Sequence, residues 1–398
     1  MIADKMLMLG KKSSVIREIF EYGNRRKQEI GAENVFDFSL GNPSIPAPGC
    51  VSDTLKRLID TVPAEKLHAY TSAPGDMGVR EKIAAYIRSA HGVSADASLI
   101  YMTCGAAASL CCALTALCGE GEEAAVIAPF FPEYRVFIER TGAKVQVIPA
   151  REGDFQIDEC ALREGIRPNT ALLIINSPNN PTGAVLTEES LCTLARVLRE
   201  KAAEYGHPIY LVSDEPYREL SYDKPVPYVT KFYRDTLVCY SFSKSLSLPG
   251  ERIGYVAVNP DMPDARDVFK AVCGAGRALG YVCAPALMQY MAGELIGQTA
   301  DIGAYRENRD LLYGALRDMG FTCVYPDGAF YLFMKAAEDD AGAFCERARQ
   351  FELLLVPGDD FGKDGYVRIS YCVSRDTILR SLPAFEKLSS LYGLKKEI

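Results

Sequence analysis

Short runs of apolar and β-branched residues recur along the chain: Leu99 to Thr103, Ala124 to Ala128, Lys144 to Ile148, Ala171 to Ile175, Ile209 to Val212, Leu237 to Phe242 and Ile253 to Val258. Each predicts a buried strand. Between several of them the pattern changes to a helical one, over Ala106 to Cys118, Pro132 to Thr141 and Glu188 to Tyr205. Alternating strands and helices predict an α/β fold built on a large, doubly wound, mostly parallel sheet. From about Met288 to Met319 helical patterning dominates, clearest over Asp301 to Arg317, and an α+β tail follows. The expected organisation is an N-terminal segment (1–44) packing with the small domain, a large domain (45–285) and a small C-terminal domain (286–398). No internal repeat or low-complexity tract interrupts it.

Composition narrows the function. The chain has 398 residues, 48% of them hydrophobic, enough for a sizeable core and two domains. A net charge of -8 and a pI near 5.2 argue against a nucleic-acid partner, which selects for a basic face. The apolar stretch Met6 to Leu9 is far shorter than a signal-peptide core, and no segment reaches membrane-spanning length, so a cytoplasmic protein without a membrane partner is expected. Thirteen cysteines include Cys111, Cys112, Cys118 and Cys239 inside apolar patterns, which predicts buried thiols. With no Cys-x-x-Cys pair and three scattered histidines (His68, His91, His207), no metal site is expected.

Three strand ends carry reactive residue types. Lys244 lies in Ser241-Phe242-Ser243-Lys244-Ser245, eight residues before Arg252; an amine beside hydroxyls and a guanidinium suits a phosphate-bearing aldehyde. Asp214, in Ser213-Asp214-Glu215-Pro216-Tyr217, falls at the carboxyl edge of the sheet, where open α/β sheets gather ligands. Asn180 sits in Asn176-Ser177-Pro178-Asn179-Asn180-Pro181-Thr182-Gly183, a Pro/Gly turn able to aim an amide inward. Alone, each has an ordinary structural explanation: a solvated lysine, a helix-capping acid, a turn asparagine. Gly274-Ala275-Gly276-Arg277-Ala278-Leu279-Gly280 has the wrong glycine spacing for a dinucleotide loop and reads as small residues in a tight loop or a close helix contact.

Taken together and in this order, Asn179-Asn180-Pro181-Thr182-Gly183, Ser213-Asp214-Glu215-Pro216-Tyr217 and Ser241-Phe242-Ser243-Lys244 resemble the class I aminotransferases of the aspartate aminotransferase fold, over almost the whole chain. The resemblance implies the fold type I architecture of pyridoxal-phosphate enzymes. Residue by residue, it implies that Lys244 forms the Schiff base with pyridoxal 5'-phosphate, that Asp214 pairs with the pyridinium, and that Asn180 and Tyr217 bond the phenolic oxygen. Ser241, Ser243 and Arg252 would grip the phosphate, with backbone amides of Gly105, Ala106 and Ala107 at a helix start. Phe131 would cover the cofactor ring, with Phe130 as the alternative.

The same resemblance makes Arg368, in Tyr366-Val367-Arg368-Ile369-Ser370, the clamp for the substrate α-carboxylate, approached by the backbone of Gly41. Tyr70 would reach the phosphate of a neighbouring subunit, implying a homodimer with shared active sites. Arg277 would read a distal carboxylate from the partner chain. The chain has no tryptophan, and so lacks the indole that aspartate-specific relatives stack on the ring. The expected activity is transfer of an amino group from an L-amino acid to a 2-oxo acid by a ping-pong route, with aspartate and 2-oxoglutarate the first pair to try. A carbon-sulfur β-lyase is the alternative. A cofactor-sensing regulator is disfavoured because Met1 to Phe38 is too short for a winged helix with its linker.

Overall fold

Side-chain alternation explains why the apolar runs are continuous rather than spaced. In the computed structural model, which describes residues 2–11 and 14–395, the strands in chain order are β1 (Phe36–Asp37), β2 (Ile100–Thr103), β3 (Glu123–Ala128), β4 (Lys144–Pro149), β5 (Thr170–Asn176), β6 (Tyr210–Asp214), β7 (Thr236–Ser241), β8 (Gly254–Val258), β9 (Tyr331–Lys335), β10 (Leu353–Leu354), β11 (Val356–Pro357) and β12 (Tyr366–Ser370). All seven predicted runs join one sheet of order β2-β8-β7-β6-β5-β3-β4. Neighbours from β7 to β4 are parallel, whereas β8 runs antiparallel to both β7 and β2. On β5, Leu172 and Ile174 face the helices Ala106–Leu117 and Ala265–Leu279, while Leu173 and Ile175 face Glu188–Tyr205. Both faces are covered, so both sets of positions must be apolar.

One strand departs from the expectation of burial. β4 ends the sheet, and there Lys144 is exposed, Val145 to Val147 are half-buried and only Ile148 is buried, whereas β2 at the opposite edge is buried throughout beneath the helices packed on both its faces. Local signals set the helix bounds: Thr187 Oγ1 accepts from Ser190 N at 3.1 Å, and Gly206 ends that helix in the left-handed conformation. The segment from Gly274 to Gly280 belongs to the helix Ala265–Leu279 and its cap. Gly276 is the close contact, since a Cβ there would lie 2.2 Å from the Tyr101 hydroxyl.

A second core forms around the antiparallel sheet β11-β12-β9 and the helices Ile302–Asp318, Ala341–Arg349 and Arg375–Leu391. The helix Ala286–Leu295 packs instead with Gly49–Thr61 and Met77–His91 beside β2 and β8. β1 pairs in parallel with β10, and Phe38 O accepts from Ser370 N at 2.9 Å. These bonds suspend residues 39–41 over the carboxyl ends of the large sheet. Among the described residues, all thirteen cysteines are free thiols, no cluster could hold a metal ion, and no helix is long and apolar enough to cross a membrane.

Candidate active site

Register brings the strand ends together. Asn176, Asp214 and Cys239 are paired across β5, β6 and β7, and Thr103, Gly254 and Ser241 across β2, β8 and β7. Beyond these ends opens a cavity of about 280 Å³, near the lower limit of the roughly 300–1,000 Å³ usual for small-molecule sites. Its walls carry Asp214, Lys244, Arg252 and Arg368, the charged groups among its described lining. Three cations around one acid suit a ligand with two anionic ends.

Asp214 is buried at the floor. Tyr134 donates to its Oδ2 at 2.5 Å, and Asn176 Nδ2 donates to its backbone carbonyl at 2.8 Å. Oδ1 is buried without a partner. Burial raises the carboxyl pKa to about 7, the Tyr134 hydrogen bond opposes the rise and Glu215 adds to it. A carboxylate so placed would be stabilised by a charged N–H donor entering the cavity.

Lys244 extends from the short helix Phe242–Ser245 and donates from Nζ to Gly41 O at 2.7 Å. Among the described residues no carboxylate is bonded to it. Burial is the main reason its pKa falls to about 8; Cys372 opposes that fall, while Arg252 and Arg368 reinforce it. A substantial neutral fraction near pH 7 to 8 is what an amine needs to attack a carbonyl.

Arg368 projects from β12 and is buried with no acidic partner among the described residues. Nη1 donates to Asn180 Oδ1 at 3.1 Å, Nη2 donates to Ser39 O, and Nε has no partner. Burial lowers its pKa, an energetic cost that an incoming carboxylate would offset. Asn180 is in turn fixed by its backbone N–H, which donates to Asn176 Oδ1 at 2.7 Å. Tyr217 places its hydroxyl 2.8 Å from that of Tyr331, inside the same cavity.

At the other end, Gly105 turns the chain at φ +88° into the helix Ala106–Leu117, whose first amides have no helical partner. Arg252 crosses directly over Gly105: a Cβ there would lie 2.8 Å from Nη2. Arg252 itself adopts φ +52°, uncommon for a residue with a Cβ and held here by the surrounding contacts. Ala106, Ala107, Ser241 and Ser243 complete this corner, whose amides, hydroxyls and guanidinium suit an anion.

Phe131, not Phe130, lines the cavity; Phe130 is buried in the core below, with Arg135 5.0 Å from its ring centre. Gly41 also lies on the cavity wall, so most of the residues singled out from the sequence converge here. Tyr70 and Arg277 do not: both are exposed on the surface of this chain, Tyr70 to 95%. Sequence reasoning missed Tyr134, Asn176, Tyr331 and Ile16. Tyr134, three residues after Phe131, and Asn176, at the end of a predicted strand, had positional signals; Tyr331 and Ile16 had none.

Pyridoxal phosphate fits this set. The orphaned Oδ1 of Asp214 can take a ring N–H, Lys244 an aldehyde, and the corner around Arg252 a dianion, with Arg368 left for a carboxylate.

Comparison with known proteins agrees. The model of the aminotransferase class I and II family matches residues 33–385. A probable N-acetyl-LL-diaminopimelate aminotransferase of Bacillus subtilis is 30% identical, over 96% of this chain and 95% of its own. A crystal structure of an amino transferase from Eubacterium rectale is 53% identical with a TM-score of 0.96, covering 98% of this chain and 99% of that one. The aspartate aminotransferase of Thermus thermophilus with maleate is 27% identical with a TM-score of 0.85, covering 98% and 99%. A chain with this sheet, this lysine-centred cavity and these relatives belongs to the class I and II aminotransferases, a family of pyridoxal-phosphate-dependent transferases.

Proposed function

We propose that the protein moves an amino group from an L-amino acid to a 2-oxo acid in two successive half-reactions, with aspartate and 2-oxoglutarate the first pair to assay. The observation that carries this reading is the pairing of a buried, partnerless Asp214 Oδ1 with a lysine whose pKa burial lowers to about 8. Bound pyridoxal phosphate would supply a carbonyl for covalent attachment and a ring able to accept an electron pair. Asp214 would hold the ring nitrogen protonated, and Asn180 and Tyr217 would bond the ring oxygen. Ser241, Ser243, Arg252 and the amides after Gly105 would anchor the phosphate, with Phe131 over the ring. Arg368 and the backbone at Gly41 would orient the donor's carboxylate.

Lys244 would act twice. Its Nζ would hold the cofactor and, when free, would be the base placed to take the proton from the donor's α-carbon and to return it. Burial of Lys244 lowers its pKa to about 8, which leaves part of the amine neutral near pH 7 to 8. The division into a large domain (45–285) and a small one (286–398) belongs to this proposal, with Ala286–Leu295 contributing to the core beside the large sheet. So does a homodimer, supported by the exposed ring of Tyr70, with Arg277 offered to the partner's site.

The test is to mix cofactor-loaded protein with single amino acids, without an acceptor, and to measure 2-oxo acid and ammonia. One equivalent of 2-oxo acid per site without ammonia is the expected result. Continuing release of pyruvate and ammonia from cystathionine would establish the β-lyase instead.

A further inference from the structure

Tyr331 lies on the cavity wall, and none of the motifs read from the sequence includes it. It stands on β9, hydrogen-bonded to the strand that carries Arg368. Its ring centre is 4.8 Å from the Arg368 guanidinium carbon, and its hydroxyl is 2.8 Å from that of Tyr217. The fit is tight: a Cβ on Gly41 would lie 2.0 Å from the Tyr331 hydroxyl.

The two hydroxyls carry one proton each. If Tyr217 directs its proton to a ligand oxygen, the bond between the phenols requires Tyr331 to donate to Tyr217 Oη. A phenol that accepts a hydrogen bond becomes a stronger donor. The ring below Arg368 meanwhile supports a guanidinium that has no acidic partner among the described residues. The charged and titratable groups facing the pair are Asp214 from β6, Tyr134 bonded to it, Arg368 from β12 and Cys372 just beyond it, with Lys244 on the same cavity wall.

We propose that Tyr331 is a positioning residue with two separable faces: its hydroxyl fixes Tyr217 as a donor to the cofactor's ring oxygen, and its ring holds Arg368 in place for the substrate carboxylate. This rests on the aminotransferase reading above. Hydrogen bonds to the ring oxygen disperse its negative charge and weaken its hold on the neighbouring proton. Removing the hydroxyl therefore raises the pH at which that proton is lost.

The experiment compares Tyr331→Phe and Tyr331→Leu with wild type, each loaded with pyridoxal phosphate. The readouts are the pH midpoint of the visible absorbance and the donor KM. Tyr331→Phe keeps the ring, so its midpoint moves up by about one pH unit while KM stays near wild type. Tyr331→Leu shows the same midpoint shift and in addition a roughly tenfold rise in KM. A loosened cavity would instead raise KM in both variants alike. That outcome, or a Tyr331→Phe midpoint superimposed on wild type, overturns the assignment. Absence of a visible cofactor band in wild type would overturn the aminotransferase reading and this inference with it.

Discussion

Tyr134 donates its hydroxyl proton to Asp214 Oδ2 at 2.5 Å, across 80 residues of chain, and leaves Oδ1 as the unpartnered oxygen at the cavity floor. This bond lowers a pKa that burial raises to about 7. In Tyr134→Phe the carboxyl pKa should climb further and the ionised fraction at pH 7 should fall. Loss of a hydrogen bond to a charged group is worth about 1.5–3 kcal/mol, so cofactor affinity should weaken by roughly 10- to 100-fold. Equilibrium dialysis of pyridoxal phosphate at pH 7 measures it, and the defect should shrink as pH rises.

The same burial has a stability consequence in the cofactor-free protein. The folded-state pKa of Asp214 lies above its ordinary value of 3.8, so between about pH 4 and 7 the folded state binds more protons than the unfolded one. Its contribution to stability therefore declines as pH rises through that window. Asp214→Asn, which can still accept from Tyr134, should match wild type near pH 4 and exceed it by a few kcal/mol at pH 8. Denaturant melts of both proteins at the two pH values test this; equal stability at pH 8 would contradict it.

Lys244→Ala should abolish covalent cofactor attachment. Borohydride treatment of the loaded wild type should add the mass of one reduced cofactor, and the variant should show none. Because burial lowers the Lys244 pKa to about 8, attachment to the cofactor-free wild type should accelerate with pH up to about 8 and then level off.

Arg368→Lys keeps the charge but removes the planar fork that spans two carboxylate oxygens. Its expected effect is a fall in kcat/KM of roughly 10- to 100-fold, carried mainly by donor KM, with cofactor affinity unchanged. Steady-state kinetics with one donor, alongside cofactor titration, separates the two.

Gly105→Ala places a Cβ at φ +88° and 2.8 Å from Arg252 Nη2. The guanidinium must move out of the corner it fills, and the backbone at φ +88°, ψ 175°, a region essentially confined to glycine, adds about 1–3 kcal/mol of strain. Affinity for pyridoxal phosphate should fall by roughly tenfold or more, and calorimetry with pyridoxal, which lacks the phosphate, should show a smaller loss.

The chain by itself determined the elements and the candidate chemistry. Buried parallel strands require contiguous apolar residues, as in Ala171 to Ile175, and rigid strand-end turns require Pro, Gly and Asn, as in Asn176 to Gly183; both requirements are local and leave a local trace. Hence the α/β sheet was legible in the pattern itself, whereas the grouping of Lys244, Asp214, Asn180, Tyr217, Arg252 and Arg368 was legible only through the resemblance to class I aminotransferases. Tertiary structure decided the rest. That β4 is an edge strand depends on strand order, and that Phe131 rather than its neighbour lines the cavity depends on what packs beneath Phe130. Tyr331 meets Tyr217 across 114 residues, and Tyr134 meets Asp214, only because sheet register and the docking of two cores bring them within hydrogen-bond distance. Such contacts are set by non-local packing, which no run of neighbouring residues encodes.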